Sequence, residues 1–300
     1  MEVLEKLKEH YGFGSGSSYV DTHINSVRFF WSTEHVERAP LIYNAGFVIV
    51  LQGHKTGFLR DKVFEYDPDH YLVLSVPIAF ECETSASESE PLLGLFVDID
   101  MAELNGILGL INGDEAAAGG PHPVKTLELG ISPVRMSGPM RESLGRLLAI
   151  LCSEEQSRIL GPGVLKEFLY HSLTDGHRES LRALVAENSR GERISRSIRR
   201  IRENYSQNLS IDELADEAGM SLSVYHRAFK AVTGASPHQY LKTTRLHRAK
   251  AMILSSEYSV AEAADRVGYA SAAHFSREFK KHFGVPPKDA RSSGYSPVDV

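Results

Sequence analysis

Asn208–Gly234 reads NLSIDELADEAGMSLSVYHRAFKAVTG, and Tyr258–Gly284 reads YSVAEAADRVGYASAAHFSREFKKHFG. Each stretch predicts a short helix, a tight turn and a second helix. In the first copy Ser210 is placed as an N-cap, with Glu213 as its capping-box partner. Ile211, Leu214, Ala215 and Ala218 give an apolar face, and Gly219 supplies a turn residue at which positive φ is cheap. Ser221 is placed to cap the next helix. There Tyr225, Phe229 and Val232 fall at the spacing of a buried stripe, and Ser223, His226, Arg227 and Lys230 share the opposite face. That face holds no acid; Asp212, Glu213, Asp216 and Glu217 sit on the preceding helix. Ser210, Glu213, Ala215, Asp216 and Gly219 recur 49 positions on as Ser259, Glu262, Ala264, Asp265 and Gly268. Past the turn, Ser221, Arg227, Phe229 and Lys230 recur 50 positions on as Ser271, Arg277, Phe279 and Lys280. One extra residue therefore sits in the second turn, and the chain carries a duplicated unit. A short helix, a turn and a second helix with a basic polar face is the arrangement that enters a DNA major groove.

Between the copies, Ser236-Pro237 reads as an N-cap followed by proline at the first helical position. The helix it opens is expected to run to about Ser255 and to bury Tyr240, Leu241, Leu246, Ala249 and Ile253. About 19 residues rise ~28 Å, comparable with the ~34 Å between successive major-groove faces. One chain can thus set both second helices on one side of a duplex. Ahead of the first copy, Ile194, Ile198 and Ile201 mark the apolar side of a helix crowded with Arg193, Arg196, Arg199, Arg200 and Arg202. That arginine run reads equally as a solvated face or as a phosphate-binding one, with Arg199 a phosphate candidate.

The joined pattern runs through Leu209-Ser210, Leu214-Ala215, Gly219-Met220-Ser221, Phe229-Lys230, Thr233-Gly234, Gln239-Tyr240-Leu241, Ala249-Lys250, Gly268-Tyr269 and Phe275 to Lys280. It resembles the AraC/XylS family of bacterial transcription regulators over about a third of the chain. The resemblance, together with the helix faces, implies that Ser223, His226 and Arg227 read bases in the first motif and Ala273, Ser276 and Arg277 in the second. An arginine there can bind guanine O6 and N7 as a fork, or else hold a phosphate. Lys230, Lys280 and Lys281 suit phosphates as flexible point charges. The second reading helix departs from the family by opening Ala272-Ala273, whose methyls cannot hydrogen-bond, so weaker direct readout is expected there.

The net charge of −6 hides an asymmetry. From Arg190 to Arg291 there are 18 of the 33 basic residues and 11 of the 39 acidic ones, net +7, which leaves −13 for the remainder. A basic module attached to an acidic body fits a polyanion-binding domain joined to a domain with another task. Three hundred residues suggest two or three domains. Cys82 and Cys152 stand far apart and outside any zinc-ligand spacing. No apolar run approaches the ~20 residues of a membrane span, and the charged opening MEVLEKLKEHYG does not read as a signal peptide. A cytoplasmic protein with no membrane partner is expected.

Residues 2–11 read as a short helix, and GFGSGSS (12–18) as a flexible break with no Lys-Ser/Thr ending of a phosphate loop. From Tyr19 to Asp100, short runs at 41–43, 46–51, 62–66, 71–76, 79–82 and 92–97 read as strands of a small antiparallel barrel or sandwich. This stretch resembles the cupin-like N-terminal domain of one AraC branch. His54 and His70 stand apart, with no metal-holding His-x-His, and read as solvated loop residues. No metal or cofactor is expected. Cys82 shares a strand face with Phe80 and Thr84, opposite Glu81 and Glu83. It is an effector-site candidate if that face lines the barrel interior. Helices are expected at 101–110, 138–152, 163–170 and 180–185, with a loop at 112–123. In the resembling family such helices pair two subunits; the alternative is that they pack only on their own barrel.

The expected fold is α+β and multidomain. Residues 1–110 form a cupin-like effector-sensing antiparallel β-barrel, and 111–190 a helical linker and dimerisation segment. Residues 191–300 form an all-α DNA-binding domain, with helix-turn-helix motifs at about 210–231 and 259–281 joined by a linker helix. The expected function is a sequence-specific, DNA-binding transcription regulator, not an enzyme, controlled by a small-molecule effector. Its expected partners are double-stranded DNA, the effector, a second copy and RNA polymerase. Two alternatives are a constitutive DNA-binding regulator whose N-terminal domain only dimerises, and a cupin-type enzyme with a DNA-binding tail.

Overall fold

The computed structural model describes residues 2–116, 130–174, 190–255 and 257–290. Helix α1 (Glu2–His10) precedes nine strands: β1 (Ser17–Asp21), β2 (Val27–Ser32), β3 (Val36–Tyr43), β4 (Gly46–Gln52), β5 (His54–Leu59), β6 (Lys62–Tyr66), β7 (His70–Leu74), β8 (Ile78–Ser85) and β9 (Leu92–Asp98). Helix α2 (Met101–Ala116), strand β10 (Ile131–Arg135) and helices α3 (Gly138–Leu151) and α4 (Glu154–Ser172) follow. The strands form two antiparallel sheets, ordered β1-β2-β9-β4-β7-β10 and β3-β8-β5-β6.

The two sheets face each other, and their burial patterns explain their sequences. The six-stranded sheet is covered on both faces at its inner strands, so β2, β9, β4 and β7 read as near-continuous apolar runs rather than alternating ones. Phe30, Val48, Val50, Leu72 and Phe96 point between the sheets and pack with Phe80 and Tyr66 of the second sheet. Phe29, Trp31, Phe47, Ile49, Tyr71 and Leu95 point the other way, onto a layer that includes Leu7, Leu104, Met140, Leu147 and Phe168. Each such side chain contributes roughly 1.5–3 kcal/mol when fully buried. The second sheet alternates instead. In β8, Phe80, Cys82 and Thr84 are buried while Glu81 and Glu83 face outward, as the period of two requires.

Several local expectations change. Strands β1, β2, β5 and β10 arise where none was expected. Ser17 begins β1 inside the glycine-rich break, and the turn glycines Gly12 and Gly16 lie before it. His54 and His70 open β5 and β7 rather than lying in loops. Helix α2 runs on to Ala116, overriding the loop expected from Asn112. Helix α4 starts at its N-cap Ser153 and continues through Pro162, well before the expected start at 163. The helix expected at 180–185 lies outside the described residues, as does the loop from 117 to 123.

Helices α5 (Arg190–Glu203), α6 (Ile211–Glu217), α7 (Leu222–Thr233), α8 (Pro237–Leu254), α9 (Val260–Arg266) and α10 (Ala272–Phe283) complete the chain with a 3-10 turn at Pro287–Asp289. Tyr225, Phe229 and Val232 are buried as their spacing requires, together with Ile194, Ile198 and Ile201. This first motif shares a continuous apolar core with the N-terminal layers. The second motif has its own core of Leu246, Ala249, Ile253, Ala263, Ala264, Phe275, Phe279 and Phe283.

Candidate nucleic-acid interface and effector cavity

The two motifs are capped differently. Ser259 and Glu262 form the full reciprocal capping box, whereas Ser210 accepts from the Glu213 N–H without the return bond. Ser221 is the N-cap residue of α7 but makes no side-chain cap bond; its hydroxyl lies 3.5 Å from that of Ser223. Ser271, its counterpart, accepts from His274 N–H. Helices α7 and α10 both end at a left-handed glycine, Gly234 and Gly284.

On α7, Ser223, Arg227 and Lys230 are exposed and His226 is half-buried. On α10, Ala272, Ala273, Arg277, Lys280 and Lys281 are exposed. The Ser276 hydroxyl donates back to the Ala272 carbonyl at 2.9 Å, so only its lone pairs face outward. His274, exposed one turn before Arg277, joins this surface without having been singled out. Its signal was the i, i+3 spacing to Arg277. The acid on α10, Glu278, turns away to pair with Lys242 of α8 at 2.6 Å, and that hydrogen bond draws its carboxyl below the ordinary value.

The arginine run of α5 divides. Arg200 pairs with Glu217, and Arg193 donates to the Ala218 carbonyl at 3.0 Å, so both knit α5 to the first motif. Arg202 donates to Asn44 of the N-terminal half. All three are thus engaged within the protein, Arg200 through a part-exposed ion pair. Arg199 is exposed.

A cavity of about 60 Å³ lies in the β-domain, bordered by Phe30, Leu41, Lys55, Cys82 and Thr84, and Lys250 of α8 also reaches its wall. Cys82 therefore does face the interior. Lys55 and Lys250 are only 4% and 3% exposed. The Lys55 ammonium donates to the Tyr43 hydroxyl at 3.0 Å and is one end of a chain of polar groups. At its other end the Tyr66 hydroxyl and the Cys82 thiol are 3.2 Å apart. Burial raises the pKa of both phenols, and the Lys55 charge opposes the rise at Tyr43. The sequence reading missed both lysines. Lys55 had a signal, since it shares a strand face with Gly57 and Leu59 and so sits at an inward position.

A family model described as the AraC-type transcriptional regulator N-terminus matches residues 23–180, and a helix-turn-helix domain model matches residues 214–293. The chain belongs to the AraC-type transcriptional regulators. Among curated relatives of this regulator is the HTH-type transcriptional activator RhaS of Escherichia coli O1:K1 / APEC. It is 29% identical over 157 residues, which are 52% of this chain and 56% of RhaS. The regulator thus spans about half the length of the curated relatives it matches. Its fold is similar to that of unsaturated-fatty-acid-bound ToxT from Vibrio cholerae, with a TM-score of 0.58 at 12% identity over 94% of this chain and 99% of that one. ToxT bound to (E)-4-(8-methylnaphthalen-1-yl)but-3-enoic acid gives 0.58 at 14%, over 93% and 100%. Among the described residues no group of three or more metal-ligating side chains occurs, and no helix is long and apolar enough to cross a membrane.

Proposed function

We propose that the chain is a sequence-specific transcription regulator that reads DNA with α7 and α10 and takes a carboxylate effector between Lys55 and Lys250. The carrying observation is that two buried ammonium groups, one from the β-domain and one from the linker helix, border the same largely apolar cavity. A carboxylate placed there meets charge-assisted donors from both halves, while its apolar part meets Phe30 and Leu41. The ligands named for ToxT are also carboxylic acids, which supports this chemistry.

At about 60 Å³ the cavity holds roughly two waters. Drug-sized ligands occupy about 300–1,000 Å³. An effector larger than a short carboxylate must widen this cavity, and because Lys250 of α8 reaches its wall, binding and the placement of α8 are linked. The test is a thermal-shift series with straight-chain carboxylates from acetate to oleate. Stabilisation that is present in the native chain and lost in Lys55→Met and Lys250→Met is expected. Equal stabilisation in all three chains places the ligand elsewhere.

The base-reading assignment is Ser223, His226 and Arg227 on α7 and Ala273, Ser276 and Arg277 on α10, with Lys230, Lys280, Lys281 and Arg199 on phosphates. The division proposed is 1–110, 111–190 and 191–300. Pairing of two copies through the α2/α4 face is supported by an apolar groove of about 350 Å³ lined by Ile107, Leu110, Ile111 and Tyr170. Sedimentation of the native chain against Leu110→Asp tests it, with a monomeric variant expected.

A further inference from the structure

The turn joining β5 to β6 consists of Arg60 and Asp61, between the paired residues Leu59 and Lys62. Arg60 has φ 55°, the one positive φ of a non-glycine residue among the described residues. Such hairpin turns favour glycine or asparagine at that position, because a side chain there is strained. Folding of the hairpin alone gives no reason for an arginine. Its guanidinium supplies one. Nε donates to the Gly234 carbonyl at 3.1 Å, and Nη2 donates to the Lys230 carbonyl. Both acceptors lie at the C-terminal end of α7, where the helix dipole favours a cation; the Lys230 carbonyl also accepts from the Gly234 N–H at 3.0 Å. Leu59 lies against Gly234, and the Gly130 N–H donates to the Val232 carbonyl at 3.0 Å. The β-domain therefore grips the last turn of the first reading helix with several groups. Farther along, β3 touches both α8 and α10, and the Tyr240 hydroxyl donates to the Pro77 carbonyl at 3.0 Å.

Strand β5 carries Lys55 on the cavity wall and leads, five residues on, to Arg60 at the grip. We propose that this hairpin is a clamp that holds α7 in a DNA-restrained state, and that effector entry at Lys55 releases it through β5. The proposal rests on the DNA-binding and effector readings above and adds the route between them. While clamped, the first motif cannot adjust to groove spacing. The apparent affinity for DNA is then reduced by the fraction of chains that are free.

The experiment compares the full-length native chain with Arg60→Ala, Arg60→Lys and Arg60→Gly. Binding to a pool of mixed-sequence 40-base-pair duplexes at low salt is measured, together with Tm and hydrogen exchange over residues 231–236. Arg60→Ala and Arg60→Gly are expected to bind DNA at least about fivefold more tightly, the lower end of typical coupling between sites. Arg60→Lys should fall between. Exchange at the end of α7 should rise in step with affinity. Arg60→Gly also relieves the positive-φ strain, so its Tm should equal or exceed that of Arg60→Ala. A purely structural arginine would instead give lower Tm and unchanged or weaker DNA binding. Equal or weaker binding by the variants overturns the clamp alone. Binding by none of the four chains overturns the DNA-reading function and the clamp with it.

Discussion

Gly219 and Gly268 occupy the same place in the two motifs, yet Gly→Ala should cost far more at the second. Both have positive φ, 60° and 85°, and a β-carbon there costs ~1–2 kcal/mol. Reduced freedom in the unfolded chain returns about 0.4–1 kcal/mol. Gly219→Ala otherwise meets only the flexible end of Arg193, at 3.2 Å, so a net loss of roughly 1 kcal/mol is expected. At Gly268 the new β-carbon would lie 2.3 Å from the Ser206 carbonyl oxygen and 3.0 Å from its carbon. That backbone is pinned. Arg245 donates to the carbonyls of Tyr205 at 2.6 Å, Gln207 at 2.8 Å and Gly268 at 3.3 Å. Relieving the clash means moving the 205–207 segment and giving up at least one charge-assisted bond, each worth about 1.5–3 kcal/mol. A total of about 3 kcal/mol or more follows for Gly268→Ala. Urea unfolding of the full chain, with hydrogen exchange resolved over α9 and α10, measures both losses. Losses that agree within about 0.5 kcal/mol would refute the pinned-backbone argument.

Arg227→Ala is expected to cost about 1–3 kcal/mol on a selected operator and to relax preference at one base pair. Lys230→Ala should weaken all duplexes alike and lower the salt slope by about 1; identical behaviour of the two on cognate and scrambled DNA would undo the split between base and phosphate contacts. Base-by-base operator scanning should show heavier penalties opposite Ser223–Arg227 than opposite Ala273–Arg277. Glu278, held below its ordinary value of 4.5 mainly by its hydrogen bond with Lys242, stabilises the second motif at neutral pH. That contribution is present above the unfolded-state pKa and lost as pH falls through the depressed folded value. Glu278→Gln should therefore flatten the acid side of the stability profile of α10, by about 0.2–1 kcal/mol for so accessible a pair, and an unchanged profile would count against it.

The DNA-binding half was legible because its signals are local. Helix caps, turn glycines and the i, i+4, i+7 stripe of Tyr225, Phe229 and Val232 lie within a few residues of one another, and the repeat supplies a second reading of each. The β-domain was less legible. β5 contains Gly57 and opens with His54, so it lacks the β-branched run that marks a strand. Its identity comes from pairing with β6 and β8 on either side. Helix α2 overran its expected end because the glycines and asparagines in LNGILGLING, which suggest a break, are tolerated once the helix packs. The arginine run of α5 stayed open between a solvated and a phosphate-binding face because the partners of Arg200 and Arg202, Glu217 and Asn44, are close only in space. The strand face of Cys82 pointed toward the cavity, but the meeting of Lys55 and Lys250 there was not legible, since the two are separated by most of the chain.

The two motifs differ in how they are anchored, and this constrains how any signal reaches them. The first shares its apolar core with the layers over the six-stranded sheet, so it cannot separate from the β-domain without exposing buried surface. The second is closed around its own phenylalanines and is tied to the rest mainly through α8 and its contact with β3. A small widening of the Lys55–Lys250 cavity acts directly on α8, which carries Lys250 near its end and Tyr240 near its start. Rotation of α8 would carry the second motif as a rigid unit, while the first moves only if its grip at Arg60 yields. On the proposed effector reading, the spacing between α7 and α10, rather than the shape of either, is the quantity that changes. Because α8 is one helix of 18 residues, a few degrees at its Lys250 end become a displacement of about an ångström or more over its ~27 Å length, enough to decide whether both reading helices fit one face of a duplex.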